Sequence, residues 1–183
     1  MRKELKLLLL INSFFVFAIN LFAPFYAVYV QKIDAAVLHI GGIWSFFLLS
    51  VGLLTFFISR FENHKEHADY FLIAGFMCRA LGWLSYIFAD SLWQLYAIQL
   101  LMALGEALGT PAYNLIYSSY LTKGEYATDW GASSALSSII TAGAAFTGGI
   151  IITTLGFSWL FGMMIALSLV SMGIAIGYKD SFR

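Results

Sequence analysis

One glutamate and one arginine lie inside long hydrophobic segments, and they are the residues best suited to chemistry in this chain. Glu106 lies near the middle of the stretch from Leu92 to Leu121, and Arg79 lies about ten residues inside the preceding hydrophobic segment. A charged side chain at membrane depth is costly, so it normally pairs, faces water or marks a solute or proton pathway. Two explanations stay open at this point. The two side chains form an ion pair between helices, or Glu106 faces a cavity and exchanges protons.

Polar residues line one face of the predicted helix that carries Glu106. Their spacing of three or four residues places them within an arc of roughly 80° on a helix. They are Gln99, Met102, Glu106, Thr110, Tyr113 and Tyr117. In the first hydrophobic segment Asn12 and Asn20 also share a face, where their amides could bond a neighbouring helix or face a solute pathway. The predicted substrate or proton pathway consists of Glu106, Arg79, Asn12, Asn20, Gln99, Tyr113 and Asn114.

The composition is that of a polytopic membrane protein in a lipid bilayer. The chain is 61% hydrophobic and 11% charged, whereas a soluble domain carries about 25% charged residues. Ten acidic and ten basic residues balance, so no net charge attracts nucleic acid. The single cysteine excludes an intramolecular disulfide and a multi-cysteine metal site. Since GxSG, HExxH and aspartate-rich phosphate motifs are also missing, we expect no enzyme activity, no metal and no cofactor.

Six hydrophobic segments predict an all-α protein with six transmembrane helices. Each is long enough for a bilayer, which needs about 20 residues. Short connections join them, so we expect a single six-helix domain over residues 1–183 and a complete six-span unit. The sixth span is plain and apolar, which predicts an outer, lipid-facing helix. The predicted spans are Leu5–Val30, Val37–Ser59, Tyr70–Ala89, Leu92–Leu121, Gly131–Leu155 and Phe157–Tyr178.

The basic residues predict the orientation in the membrane. Cytoplasmic loops carry an excess of lysine and arginine. Only Lys32 lies in an odd-numbered loop, and Arg79 lies within a span. The other eight basic residues lie at the ends or in even-numbered loops, which predicts a multi-pass plasma-membrane protein with both termini in the cytoplasm. They are Arg2, Lys3, Lys6, Arg60, Lys65, Lys123, Lys179 and Arg183.

Two spans are rich in small residues, which let helices approach closely in lipid. Span two carries Gly41, Ser45 and Gly52 on one face. Span five carries two neighbouring stripes of small residues. The first stripe is Ser134, Ser138, Ala142, Ala145 and Gly149, and the second is Ser133, Ser137, Thr141, Ala144 and Gly148.

An internal repeat relates the two halves of the chain. In spans one and four a proline precedes a tyrosine by two positions, as Pro24–Tyr26 and Pro111–Tyr113. A small-residue span and a plainer span follow in each half. Units of three spans have opposite orientations in the membrane, and such inverted three-helix repeats are typical of transporters.

The whole chain resembles one six-helix half of a major facilitator superfamily transporter. The resemblance rests on QLLMALGEALGTPAYNLIY as helix four, on TKGEYATDWGASSALSSIITAGAAFTGG with GFSWLF from the fourth loop into helix six, and on the loop ISRFENHK. The chain has Gln99 in place of the usual arginine of helix four, and Ala144-Ala145 in place of the Gly-Pro of the antiporter branch. In the second loop Ser59 replaces the usual acidic residue and Glu62 the usual glycine.

The resemblance implies how six spans become a transporter. In the family, helices one and four line the cavity, two and five join the halves, and three and six lie outside. A lone half encloses a pathway on one side only, so we expect two copies in the same orientation to pair about a two-fold axis. The expected dimer contact consists of Gly41, Ser45, Gly52, Ser138, Ala142 and Gly149.

The function predicted from the sequence is secondary active transport of a small solute. A parallel homodimer would work by alternating access, with proton coupling through Glu106. The alternative is a non-transporting membrane subunit, or one half of a hetero-oligomeric transporter. The identity of the solute, the coupling ion and the direction of transport stay open.

Overall fold

A chain of helices joined by short turns makes up the protein. The computed structural model describes residues 3–60 and 65–179, so Arg2, Glu62 and Arg183 of the sequence predictions lie outside the described residues. The described residues include no β-strand, and the predicted all-α membrane fold is confirmed. The elements are α1 (Lys3–Phe22), a 3₁₀ helix (Ala23–Phe25), α2 (Tyr26–Ile33), α3 (Val37–Ile58), α4 (Lys65–Ile87), α5 (Leu92–Ser119), α6 (Tyr126–Thr154) and α7 (Phe157–Gly177).

Five stretches of the described residues are both long and apolar enough to cross a membrane. They are Glu4–Ile33, Val37–Ile58, His67–Ile87, Tyr126–Thr154 and Phe157–Gly177. The remaining predicted span is α5, which has 28 residues and is therefore about 42 Å long at ~1.5 Å per residue. Its length suffices for a bilayer, but its polar stripe lowers its hydropathy. The helix that the membrane accommodates least well is thus the one that carries the candidate site.

The two prolines of the internal repeat have different effects on their helices. Pro24 lies in the 3₁₀ helix that separates α1 from α2, whereas Pro111 lies inside the continuous helix α5. Proline removes one backbone hydrogen bond from a helix and disfavours regular geometry there. At Pro24 a 3₁₀ turn interrupts the regular α-helix of span one, and Tyr26 at the start of α2 lines the cavity described below.

Helix packing divides the spans into two groups, which contact each other through α4 and α7. The first group is α3, α4 and α5, and the second is α1, α6 and α7. Helix α5 packs on α3 and α4, α1 packs on α6 and α7, and α4 packs on α7. A cluster of aromatic rings joins the groups near the ends of α1 and α4, where the Tyr29 hydroxyl donates a 2.6 Å hydrogen bond to the carbonyl of Tyr86. The rings in this cluster belong to Phe22, Tyr29, Tyr86, Phe157 and Phe161.

Helix α7 is more deeply packed than its plain sequence predicted. One face of it is exposed, but the other is buried against α4 and α1. Fully buried Ser168 and Ser171 donate hydrogen bonds of 3.1 Å to the carbonyls of Phe76 and Ile11, respectively. The prediction of an outer helix describes the exposed face, and the buried serines give the other face a packing role, because serines spaced along an apolar helix can bond the backbone of its neighbours.

The two small-residue stripes of span five face opposite environments. In the second stripe, Ser133, Ala144 and Gly148 are buried within the subunit. In the first stripe, Ser134, Ser138 and Ala142 are exposed. The second stripe therefore serves packing inside one chain, and the first leaves a small-residue surface uncovered.

Gly148 marks the closest approach of α1 and α6. A Cβ atom added there would lie within 3.1 Å of three backbone atoms of Leu21, and closest to its carbonyl oxygen. At Gly143, on the same helix, an added Cβ would meet no atom within 4 Å. Only glycine fits the first position without a shift of one of the two backbones.

We expect Gly148→Ala to destabilise the protein and Gly143→Ala to leave it nearly unchanged. The first change forces α1 and α6 apart, and overpacking of this kind typically costs about 1–3 kcal/mol. The apparent melting temperature in detergent, followed by intrinsic fluorescence, measures both. Equal melting temperatures for the two variants would contradict the tight α1–α6 contact.

Candidate functional site

Arg79 and Glu106 form an ion pair between α4 and α5. The Nη2 atom of Arg79 donates a hydrogen bond of 2.5 Å to Oε2 of Glu106. The other carboxylate oxygen accepts a hydrogen bond from the Thr110 hydroxyl, one helical turn further along α5. Arg79 also lies 3.3 Å from the Thr110 hydroxyl oxygen. The three polar side chains thus satisfy one another at a depth where few other partners exist.

Three glycines make room for the arginine between α4 and α5. An added Cβ at Gly75 would lie 2.7 Å from the Cα of Gly109, so the two backbones nearly touch. At Gly105 and Gly109 an added Cβ would collide with the Arg79 side chain, at 2.8 Å from Cγ and 2.5 Å from Nη1. Glycines at these positions therefore let the long side chain lie flat across α5 and reach Glu106.

The two charges differ in their exposure. The Arg79 side chain is 3% exposed and its guanidinium lies over the Phe15 ring of α1, at 4.5 Å from the ring centroid. The Glu106 side chain is 31% exposed. The Glu106 side chain is therefore partly exposed, and its exposed part is called the free edge below. The guanidinium of Arg79 is enclosed. The predicted ion pair is therefore present, and Glu106 also lines a cavity. Proton exchange at Glu106 stays a prediction.

The cavity has a volume of about 330 Å³ and lies among spans one to four. A volume of this order falls in the range of small-molecule sites, ~300–1,000 Å³. Most of its wall is apolar, with Gln99 and Glu106 as polar side chains from α5. Its aromatic lining consists of Phe22, Tyr26, Trp44, Phe47, Trp83 and Tyr86.

Gln99 fixes the contact between α2 and α5 at one end of this cavity. Its side-chain amide donates a 2.7 Å hydrogen bond to the Tyr26 hydroxyl, and Gln99 is 3% exposed. The Tyr26 ring also contacts Trp44 of α3, with 5.4 Å between centroids. Three spans therefore meet at one tyrosine, which directly follows the 3₁₀ helix that contains Pro24.

The other predicted pathway residues lie away from this cavity. Asn20 donates a 2.8 Å hydrogen bond to the Val16 carbonyl of its own helix, which neither predicted alternative described. Asn12 is half-buried and Asn114 is exposed. Tyr113 is half-buried and stacks on Tyr117, with 5.7 Å between the ring centroids. Of the seven predicted pathway residues, Gln99 and Glu106 line this cavity, and Arg79 lies beside it in the ion pair with Glu106.

Sequence reasoning missed the aromatic lining. Trp83 lies one turn after Arg79 on α4, so its spacing from the arginine placed it on the same helix face. Tyr26 belongs to the proline–tyrosine repeat, which indicates symmetry between the halves and does not by itself indicate a site. The contribution of Trp44 could not be predicted, because α3 is strongly apolar and contains no aspartate, glutamate, lysine or arginine that would mark one of its faces.

The predicted dimer-contact residues form two uncovered surfaces. On α3, Gly41, Ser45 and Gly52 are exposed. On α6, Ser138 and Ala142 are exposed, and Gly149 is half-buried beside the Phe25 ring. These residues are therefore free to meet another helix in the membrane.

The comparison with known proteins decides the family. The chain matches the Major Facilitator Superfamily over residues 8–180. The chain belongs to the major facilitator superfamily. No curated protein and no solved structure gives a significant match. The resemblance seen in the sequence is confirmed, and 183 residues fit a half-size unit of this superfamily.

Membership of the major facilitator superfamily assigns a general activity. Its members are membrane transporters rather than enzymes, they bind small-molecule substrates, and they reside in the lipid bilayer. The protein is therefore a multi-pass membrane transporter of the major facilitator type. Within it, the cavity beside Glu106 is the candidate binding site.

We expect Glu106→Leu to destabilise the protein strongly, because it leaves the enclosed charge of Arg79 without a partner. Breaking a buried ion pair from one side typically lowers the free energy of unfolding by about 3–5 kcal/mol. The double variant Arg79→Met with Glu106→Leu removes both charges and should recover most of this loss. Apparent melting temperatures of the parent, the single variant and the double variant measure the effect. A double variant that is no more stable than the single one would contradict the pairing.

Proposed function

We propose that this protein is a secondary active transporter in which two copies form a parallel homodimer and move a small solute by alternating access. Each copy supplies one six-span domain, residues 1–183, and Glu106 takes up the proton that is coupled to transport. We place both ends in the cytoplasm and the protein in the plasma membrane, since the basic residues follow that pattern.

An uncovered polar stretch on α5 carries this proposal. Thr110 and Asn114 are exposed and the Glu106 side chain is 31% exposed, although all three lie within α5, the predicted fourth span. Polar groups at that depth normally face a bundle interior or a water-filled cavity. The six spans of one copy do not cover this face. Another protein surface must therefore cover this face of α5, and a second copy of the chain is the simplest way to supply it.

The exposed small-residue surfaces of α3 and α6 lie beside the helices that would line the central cavity of a dimer. Helix α3 packs on α5 and helix α6 packs on α1, so the exposed stripes flank the two helices that the resemblance assigns to the cavity. Small residues permit close backbone contact between helices in lipid. Contact of α3 from each copy with α6 from the other would close a central cavity along a two-fold axis.

The pattern of helix contacts supports the inverted repeat. The helix–helix contacts follow the repeat. If spans one and four, two and five, and three and six are exchanged, the five most extensive helix–helix contacts map onto one another. The contacts of α5 with α3 and α4 become those of α1 with α6 and α7, and the contact of α4 with α7 maps onto itself. Repeats that rock against each other around a midplane site are the usual basis of alternating access.

The geometry of Glu106 supports proton coupling. Its carboxylate bonds Arg79 on one side and borders the cavity on the other. A proton or a cationic solute that arrives from the cavity therefore competes with the arginine for the same group. In a homodimer the second Glu106 adds a like charge nearby, which favours protonation of one of the two.

We expect the purified protein in lipid nanodiscs to have the mass of two copies. Cross-linking tests the geometry of the pair, in a Cys78→Ser background. Gly52 lies 15 residues after the start of α3 and Ser138 lies 16 residues before the end of α6, so they differ in depth by about 1.5 Å. Gly52→Cys together with Ser138→Cys should form a disulfide-linked dimer.

The single variant Gly52→Cys is the matched control and should give little cross-linked dimer. A persistent monomer that co-purifies with another membrane protein would contradict the homodimer. It would support the alternative of a non-transporting subunit or a hetero-oligomeric half.

We expect Glu106→Gln to abolish proton-coupled transport while the dimer stays intact. Glutamine keeps a hydrogen-bond acceptor for Arg79 but cannot exchange a proton. Proteoliposomes with an imposed pH gradient measure the solute flux and the accompanying proton flux. Glu125→Gln, in the exposed turn before α6, is the matched control and should retain both. Unchanged coupled transport in Glu106→Gln would remove Glu106 from the mechanism.

A further inference from the structure

The aromatic cavity beside Glu106 has a wall that limits the class of solute it can bind. Six of its thirteen lining residues are aromatic, and they come from α1, α2, α3 and α4. A sugar or an amino acid needs several hydrogen-bonding groups in fixed positions. In this cavity the Gln99 amide and the Tyr26 hydroxyl already bond each other, so few free polar groups are left for such a solute.

Only one of the lining side chains is charged, and its charge is negative. Glu106 borders the cavity directly, whereas Arg79 does not line it and is 3% exposed. The Phe15 ring and the α5 backbone at Gly109 lie against the guanidinium, and Gly105 lies against the aliphatic part of the same side chain. An anionic solute would therefore meet the carboxylate without reaching the arginine.

The free edge of the carboxylate and the ring faces both favour a positive charge. Each carboxylate oxygen already accepts one hydrogen bond, from Arg79 and from Thr110, but an ionised carboxylate offers about four acceptor positions. Cations are also attracted to the faces of tryptophan and tyrosine rings, most strongly in desolvated sites. Trp44, which is 47% exposed, supplies such a ring in the same cavity.

We propose that the solute is a monovalent organic cation whose charge is carried on an aromatic or bulky hydrocarbon body. The body packs against the aromatic wall, and its charge lies at the free edge of Glu106. This inference rests on the proposed transport function, since it names the substrate class of that site. It does not require the homodimer for binding, because one copy supplies all thirteen residues that line the cavity.

Two ions of equal size and opposite charge test the proposal. Tetraphenylphosphonium and tetraphenylborate have nearly the same shape, so a difference in binding reports the sign of the charge. Radiolabelled tetraphenylphosphonium is titrated into nanodiscs that contain the protein, with empty nanodiscs as the blank. We expect saturable binding of the cation that an excess of unlabelled cation displaces, and no saturable binding of tetraphenylborate when the anion is titrated alone. Equal saturable binding of the anion, or no saturable binding of the cation, would overturn the proposal.

Matched variants locate the binding site. Trp44→Leu removes one ring of the cavity and should weaken cation binding about tenfold, the order expected for one desolvated cation–π contact. Trp159 is 67% exposed on α7 and lies outside the cavity, so Trp159→Leu should bind like the parent. Glu106→Gln should weaken the cation by about tenfold or more, since it removes the only charge in the wall. Equal affinities in the parent and the two cavity variants would place the ion elsewhere and contradict the proposal.

The outcomes separate this inference from the proposed function. A dimer that carries out Glu106-dependent transport of another solute, but does not bind tetraphenylphosphonium, would overturn the substrate class alone. Cation binding by a persistent monomer would overturn the homodimer and leave the substrate class standing. Each variant is checked for a single symmetric elution peak before titration, and Trp44→Leu keeps the test decisive if Glu106→Gln does not fold.

Discussion

An enclosed arginine is the constraint on which the central part of this structure depends. A guanidinium cannot lose its charge in a protein, so Arg79 must find an anion and a close-fitting space inside the helix bundle. The anion comes from α5 as Glu106, and the space comes from Gly75, Gly105 and Gly109. With the Phe15 ring of α1 on the guanidinium, one side chain fixes the relative rotation of three helices.

In the proposed mechanism, the interaction of Arg79 with Glu106 joins structure to transport. Glu106 stabilises the bundle through Arg79 and faces the cavity with its remaining edge. Any group that binds this edge changes the strength of the contact between α4 and α5. A membrane transporter needs such a link, because occupancy of the site must alter how its helices pack. A carboxylate fully enclosed by its partner, or fully exposed to water, would not provide it.

Much of the fold could be predicted from the sequence, because hydrophobic length and charge position are local properties. The six spans, the depth match of Arg79 and Glu106 and the small-residue helices follow from counting residues. The rotation of each helix about its own axis cannot be predicted by counting residues. The sequence offered two equivalent stripes on span five, and only packing against Leu21 places Gly148 inside and Ser138 outside. The aromatic lining was missed for the same reason. Its rings come from four helices, and they meet only because of how each helix is rotated, which the sequence of one segment does not show.

The cavity has one rigid wall and one permissive wall. On the α4–α5 side, glycine backbones nearly touch, so a larger residue there would displace the helices. On the α3 side, Trp44 and Leu48 line the cavity yet are 47% and 53% exposed, and neither Gly41 nor Gly52 has a close neighbour. Amino-acid changes at Trp44 and Leu48 can therefore reshape the cavity without disturbing the glycine contacts between α4 and α5. In transporters built on this plan, solute preference is expected to diversify through substitutions at these two positions of α3.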